Sequence, residues 1–156
     1  MTMKLFYADC HMREFTAQVL SCEENGGKYR VILDATAFYP EGGGQPADHG
    51  TLGDVNVLHV KEEGEEIVHF CDAPLPVGKT VAGKIDWQRR FDLMQQHSGE
   101  HIISGILHTL CGAENVGFHL GNDVITIDTD REIAPETLYL PPFSSQESTC
   151  AVNSCM

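Results

Sequence analysis

The chain has 156 residues, 42% of them hydrophobic, enough for one domain or two small ones around a packed core. Its formal net charge of −13 argues against bulk attraction to a phosphate backbone, which needs clustered Lys and Arg. No apolar run approaches the ~20 residues of a membrane span, and the N-terminus lacks a signal peptide's apolar stretch, so no membrane partner and a cytoplasmic location are expected.

Taken in order, residues 3–7 read as a short strand. Residues 13–23 carry β-branched and aromatic side chains in rough alternation, and Asn25-Gly26-Gly27 predicts a hairpin turn because these residues tolerate positive φ. Residues 28–35 form the return strand. A loop follows, Phe38-Tyr39-Pro40-Glu41-Gly42-Gly43-Gly44-Gln45-Pro46. Residues 50–52, 55–60 and 67–71 read as strands, with an acidic turn at 61–66, and residues 78–87 as the last strand of this half. Short strands at regular spacing suggest a small barrel or sandwich.

Residues 88–111 are the long segment with helical character. Phe91, Met94, His97, His101, Ile102 and Leu107 fall near one stripe, so the two histidines are expected along or beside the buried face. Strands before one long helix make the chain α+β. Residues 114–120 and 124–128 read as two further strands joined by Gly121-Asn122-Asp123. Residues 133–138 resemble a helix start that Pro141-Pro142 stops, and residues 138–156 read as an irregular tail.

Two stretches carry chemistry. In His97-Ser98-Gly99-Glu100-His101 the histidines are four apart, which on a helix stacks them about 5–6 Å from each other and allows one shared metal ion. Glu100 is not where the His-Glu-x-x-His metalloprotease pattern requires it. Two histidines in ordinary surface or core roles are the alternative. In Gly42-Gly43-Gly44-Gln45 the glycines let backbone N–H groups approach a carbonyl or phosphate oxygen, and Gln45 adds an amide. A simple surface turn is the alternative there. It is neither a P-loop nor a dinucleotide fingerprint. Lys84, Arg89 and Arg90 form a basic cluster, read as a locally basic mouth or a solvated helix start. The six cysteines form no Cys-x-x-Cys, and most are expected to be reduced, small, buried hydrophobes.

Asp34-Ala-Thr36-Ala-Phe38-Tyr39-Pro40-Glu41-Gly42-Gly43-Gly44-Gln45-Pro46-Ala-Asp48, Asp86-Trp87-Gln-Arg-Arg90, Met94-Gln95-Gln96-His97-Ser98-Gly99-Glu100-His101 and Gly117-Phe118-His119-Leu120-Gly121 together resemble the editing domain of alanyl-tRNA synthetase. They are equally similar to its free-standing relatives, the alanyl-tRNA editing proteins. The likeness runs from about residue 5 to 137, and the start at Met1 looks like the free-standing type.

The resemblance implies a small N-terminal β-barrel over residues 1–87 and a partial editing domain over 88–137, built on the helix and an antiparallel sheet. Residues 138–156 then form a divergent tail. It implies zinc-dependent hydrolysis of misacylated alanine tRNA, such as Ser-tRNA or Gly-tRNA, with tRNA as partner. The implied zinc ligands are His97 and His101. Gln45 and Thr36 carry over as catalytic residues, Thr36 offering its hydroxyl to a seryl side chain. Gly42, Gly43 and Gly44 carry over as substrate contacts. His119 lies in a matching strand, with packing as the alternative to a direct role. The family's later Cys-x-x-x-His motif is missing, and Cys150 or Cys155 would have to substitute for it. The chain therefore looks truncated or divergent at its C-terminus, and a remnant that only binds tRNA or a partner is the alternative function.

Overall fold

Strict alternation builds the first long strand. Phe15, Ala17 and Val19 are buried while Glu14, Thr16, Gln18 and Leu20 are exposed, which is how a strand covers one core face. A computed structural model describes residues 1–121, 124–138 and 150–154. The chain divides into two compact units, Met1–Asp92 and Leu93–Met156.

The first unit holds β1 (Met3–Lys4), β2 (Glu14–Asn25), β3 (Lys28–Leu33), β4 (Ala35–Thr36), β5 (Gly50–Leu52), β6 (Val55–Glu63), β7 (Glu66–Cys71) and β8 (Thr80–Ile85). Six of these strands close into a ring in the order β2-β3-β7-β6-β5-β8, every neighbouring pair antiparallel. Its interior is packed by Val19, Val31, Leu33, Phe38, Leu52 and Val60 among others. β1 lies outside the ring, parallel to β4. The Asn25-Gly26-Gly27 turn closes β2 onto β3, with Gly26 and Gly27 at φ 61° and 80°, the two positive values a tight hairpin of this twist demands.

Two details depart from the sequence reading. Only Met3 and Lys4 of residues 3–7 are strand, because Leu5–Tyr7 tighten into a 3₁₀ turn that buries Phe6. The acidic stretch at 61–66 is mostly ladder, since Lys61, Glu62 and Glu63 pair with Val68, Ile67 and Glu66 and leave a two-residue turn at Gly64 and Glu65. Charge marked the solvent side of a strand there, not a loop.

Helix α1 (Trp87–Cys111) starts at Asp86, whose carboxylate accepts the Arg89 N–H at 3.2 Å, the usual side-chain cap. It ends at Gly112, with φ 65° and its N–H donating to the His108 carbonyl at 2.9 Å, a left-handed terminator. The second unit adds β9 (Asn115–Leu120), β10 (Ile125–Thr129), a 3₁₀ turn at Pro135–Leu138, and β11 (Cys150–Ser154). β9 pairs antiparallel with β10, and β11 lies parallel to β10 on its other side. The 150–154 part of the expected irregular tail is therefore strand, its backbone partners supplied by β10 rather than announced by any periodicity of its own. Residues 139–149, 155 and 156, with the turn residues Asn122 and Asp123, lie outside the described residues.

Candidate functional site

The buried stripe of α1 differs in phase from the one apolar residues suggest. Phe91 and Ile102 are 40% and 63% exposed, while Glu100 and Leu107 are buried and Ile103 half-buried. His101 is exposed and His97 half-buried, so the histidines border the stripe and Glu100 occupies its centre. The reason is a polar partnership that apolarity cannot reveal. Glu100 Oε1 accepts from the Ser104 hydroxyl at 2.6 Å and from the Asn115 side-chain amide on β9. Asn115 also donates to Ser104 Oγ at 3.0 Å.

The imidazoles of His97 and His101 stand side by side, centroids 4.8 Å apart, as the four-residue spacing predicts. Phe118 of β9 packs beside both, at 5.2 Å from His97 and 6.5 Å from His101. Ligand atoms of His97, Glu100 and His101 all lie within 4.8 Å of one another. Glu100 Oε2 is buried and has no hydrogen-bond partner among the described residues; His101 Nδ1 lies 3.3 Å from it. A buried carboxylate oxygen without a hydrogen bond, next to two imidazoles, is an environment a cation would complete, and these donors suit zinc. His119 is exposed on β9, opposite Thr126. Cys155 lies outside the described residues, and of Cys150 only the backbone in β11 is described.

In the first unit, Gly42-Gly43-Gly44-Gln45 is a closed tight turn. The Gly42 N–H donates to the Gln45 carbonyl at 3.1 Å and the Gln45 N–H to the Gly42 carbonyl at 3.0 Å. Gly43 and Gly44 sit at φ 56° and 82°, so their lack of a side chain is required by the turn itself. The amides of Gly43 and Gly44 take no part in that closure. The three glycines are exposed and Gln45 half-buried. The Glu41 N–H anchors the loop to the Val60 carbonyl on β6 at 3.0 Å.

The loop's base is held by a buried ion pair. Asp48 Oδ2 accepts the Tyr39 N–H at 2.6 Å and also meets the Arg90 guanidinium, whose Nε reaches Asp48 Oδ1 at 3.2 Å. Arg90 further donates to the carbonyls of Ala37, Cys10 and Met12. Of the basic cluster, Arg90 is therefore a buried structural residue, whereas Lys84 is exposed and Arg89 half-buried, its Nε donating to the Ala47 carbonyl at 3.2 Å.

Thr36 is fully buried. Its oxygen accepts the Phe38 N–H at 3.1 Å and lies 2.8 Å from His69 Nε2. His69 Nδ1 lies 3.1 Å from the Val31 carbonyl, which can only accept, so Nδ1 carries the ring proton and Nε2 receives the Thr36 hydroxyl hydrogen. Burial pushes the His69 pKa down to about 4, against the raising effect of the Val31 bond. His69 is therefore neutral and fixes the Thr36 hydroxyl with its proton committed. Among the cysteines, Cys71 fits the expected buried role and its pKa is raised to about 12 by burial, whereas Cys10 is exposed.

Residues 3–89, over half the chain, match the family described as class II (A) tRNA synthetases. The chain belongs to that family. Within it, the chain is similar to proteins named alanyl-tRNA editing proteins and to an alanine–tRNA ligase. It is 44% identical over 134 residues to the alanyl-tRNA editing protein Aarsd1 of Danio rerio, covering 78% of this chain and 32% of that protein. It is 40% identical over 153 residues to Aarsd1-B of Xenopus laevis, covering 89% of this chain and 37% of that protein. It is 47% identical over 115 residues to the alanine–tRNA ligase of Ignicoccus hospitalis, covering 71% of this chain and 12% of the ligase. The chain thus spans about a third of the length of the editing proteins it matches.

Three residues of these sites were not singled out from the sequence as functional: Glu100, His69 and Asp48. For Glu100 a signal existed, its three-residue spacing from His97. For His69 the only hint is a histidine among the apolar residues of β7, and Asp48 is one acidic residue in a loop.

Proposed function

We propose that this chain hydrolyses the ester joining a wrongly attached amino acid, serine or glycine, to the 3′ end of alanine tRNA, in the cytoplasm. The observation that carries the reading is the His97–His101 pair beside a buried carboxylate oxygen that has no hydrogen bond among the described residues, on a chain whose relatives are named alanyl-tRNA editing proteins. The chemical need is plain. A pocket built for alanine cannot strongly reject glycine, nor a side chain that merely adds a hydroxyl, so a second hydrolytic site supplies the discrimination.

His97 and His101 would hold zinc. When bound, the metal supplies a positive charge that can polarise an ester carbonyl or a water. The chain's own groups divide the remaining work. The Gly43 and Gly44 amides would donate to an oxygen of the tRNA 3′ end, with Gly42 keeping that surface free of a side chain. Gln45 would orient the ester through its side-chain amide. Because the Thr36 proton is committed to His69, Thr36 can offer a seryl hydroxyl only an acceptor lone pair. Thr36 is fully buried, so the hydrolytic reading rests on the histidine pair and the glycine loop rather than on Thr36, and the second reading is a tRNA-binding module without turnover.

The test is release of serine from Ser-tRNA charged on alanine tRNA. Turnover by the wild-type chain, lost in both His97→Ala and His101→Ala, is the expected result. Undiminished turnover in both variants would overturn the metal-centred mechanism. Binding of the charged tRNA without release would establish the second reading instead.

A further inference from the structure

We propose that Glu100 is a third protein ligand to the cation held by His97 and His101. The inference rests on the metal reading above and adds to it a carboxylate that the His-x-x-x-His motif does not contain.

The argument begins with burial. Glu100 has no exposed surface, yet only one of its oxygens is satisfied. Oε1 is doubly engaged, by Ser104 Oγ and Asn115 Nδ2. Oε2 has no hydrogen-bond partner among the described residues, and its near neighbour is the His101 Nδ1 at 3.3 Å. A buried polar atom without a partner calls for an explanation, since most such atoms are paired.

The arrangement supplies that explanation. His97, Glu100 and His101 offer donor atoms within 4.8 Å of one another. Around a tetrahedral zinc with bonds of about 2.0–2.2 Å, donors stand roughly 3.3–3.5 Å apart. Side-chain rotations that move donor atoms by about an ångström close that gap without moving the helix. Two imidazoles and one carboxylate form a donor set used by open catalytic zinc sites, in which the fourth position stays available to water or substrate. Asn115 and Ser104 then act as the outer partners that aim the carboxylate, as ligating carboxylates generally require. Three donors from one helix turn also remove the need for Cys150 or Cys155 to fold back.

The test is metal binding, not turnover. The full chain is freed of metal and titrated with Co²⁺, read by its visible absorption, then with Zn²⁺ in competition. Glu100→Gln keeps an oxygen for Asn115 and Ser104 and removes the anionic ligand. Loss of outer partners alone weakens metal sites by about 10–100-fold, so Glu100→Gln should weaken binding by at least about 100-fold and change the cobalt spectrum. Asn115→Ala, which leaves the carboxylate but unties it, should weaken binding by about 10–100-fold. It serves as the independent variant if Glu100→Gln does not fold. Binding and spectra unchanged in the folded variants would overturn the role of Glu100 while leaving the histidine pair intact. No binding by the wild-type chain would overturn both this proposal and the metal reading beneath it.

Discussion

Protonating His69 should unfasten the barrel from inside. The imidazole is fully buried and its pKa is lowered to about 4, against 6.5 for the same group in water. The unfolded chain therefore takes up this proton first as the pH falls. The stability contributed by neutral His69 is complete above about pH 6.5, declines through the window from about 6.5 to 4, and is gone below it. At 1.36 kcal/mol per unit, the whole window is worth about 3 kcal/mol, and the drop from about pH 7 to pH 5 is about 2 kcal/mol.

One hydrogen bond fails when the ring is charged, while the donation from Nδ1 to the Val31 carbonyl persists. An imidazolium cannot accept from Thr36, and the Thr36 oxygen must reorient while it still receives the Phe38 N–H. Urea unfolding at both pH values, followed by Trp87 fluorescence, measures the drop. His69→Gln, whose amide oxygen can accept from Thr36, supplies the non-titrating reference against which the other acid-sensitive groups cancel. Equal losses in wild type and variant, within about 0.5 kcal/mol, would refute the assignment of this pH sensitivity to His69.

Two other substitutions probe the first unit. Asp48→Ala leaves the Arg90 guanidinium buried without its counter-charge and should cost about 3–5 kcal/mol of unfolding free energy; a loss below about 1 kcal/mol would contradict the ion pair's role in tying down the loop base. Gly83→Ala places a methyl 2.3 Å from the Phe15 ring and should cost about 1–3 kcal/mol by thermal or urea unfolding, with no loss expected only if the ring can move aside.

Local signals read the fold well wherever a local cause decided it. The alternation in β2, the paired positive-φ glycines after Asn25 and the helix ending at Gly112 all depend on neighbours a few residues away. The histidine pair was legible for the same reason, because a helix fixes the geometry of residues four apart. What the sequence hid is long-range. Glu100 is held inside by Asn115, fifteen positions on, and a carboxylate on an otherwise apolar stripe is normally placed outside by any reading of hydrophobicity. Thr36 meets His69 across 33 residues, and Arg90 meets Asp48 across 42. β11 carries no strand periodicity of its own and owes its form to backbone pairing with β10.

Gly50 has a bearing on solubility. The ring of strands is completed by β5, only three residues long, wedged between β6 and β8. At Gly50 a methyl group would stand 2.1 Å from the Lys84 carbonyl oxygen, so any side chain would push that seam apart. A ring opened there becomes a sheet with two raw edges, the form that recruits strands from other molecules. Damage at Gly50 would then appear first as aggregation in a crowded solution, ahead of any change in the chemistry of the histidine site.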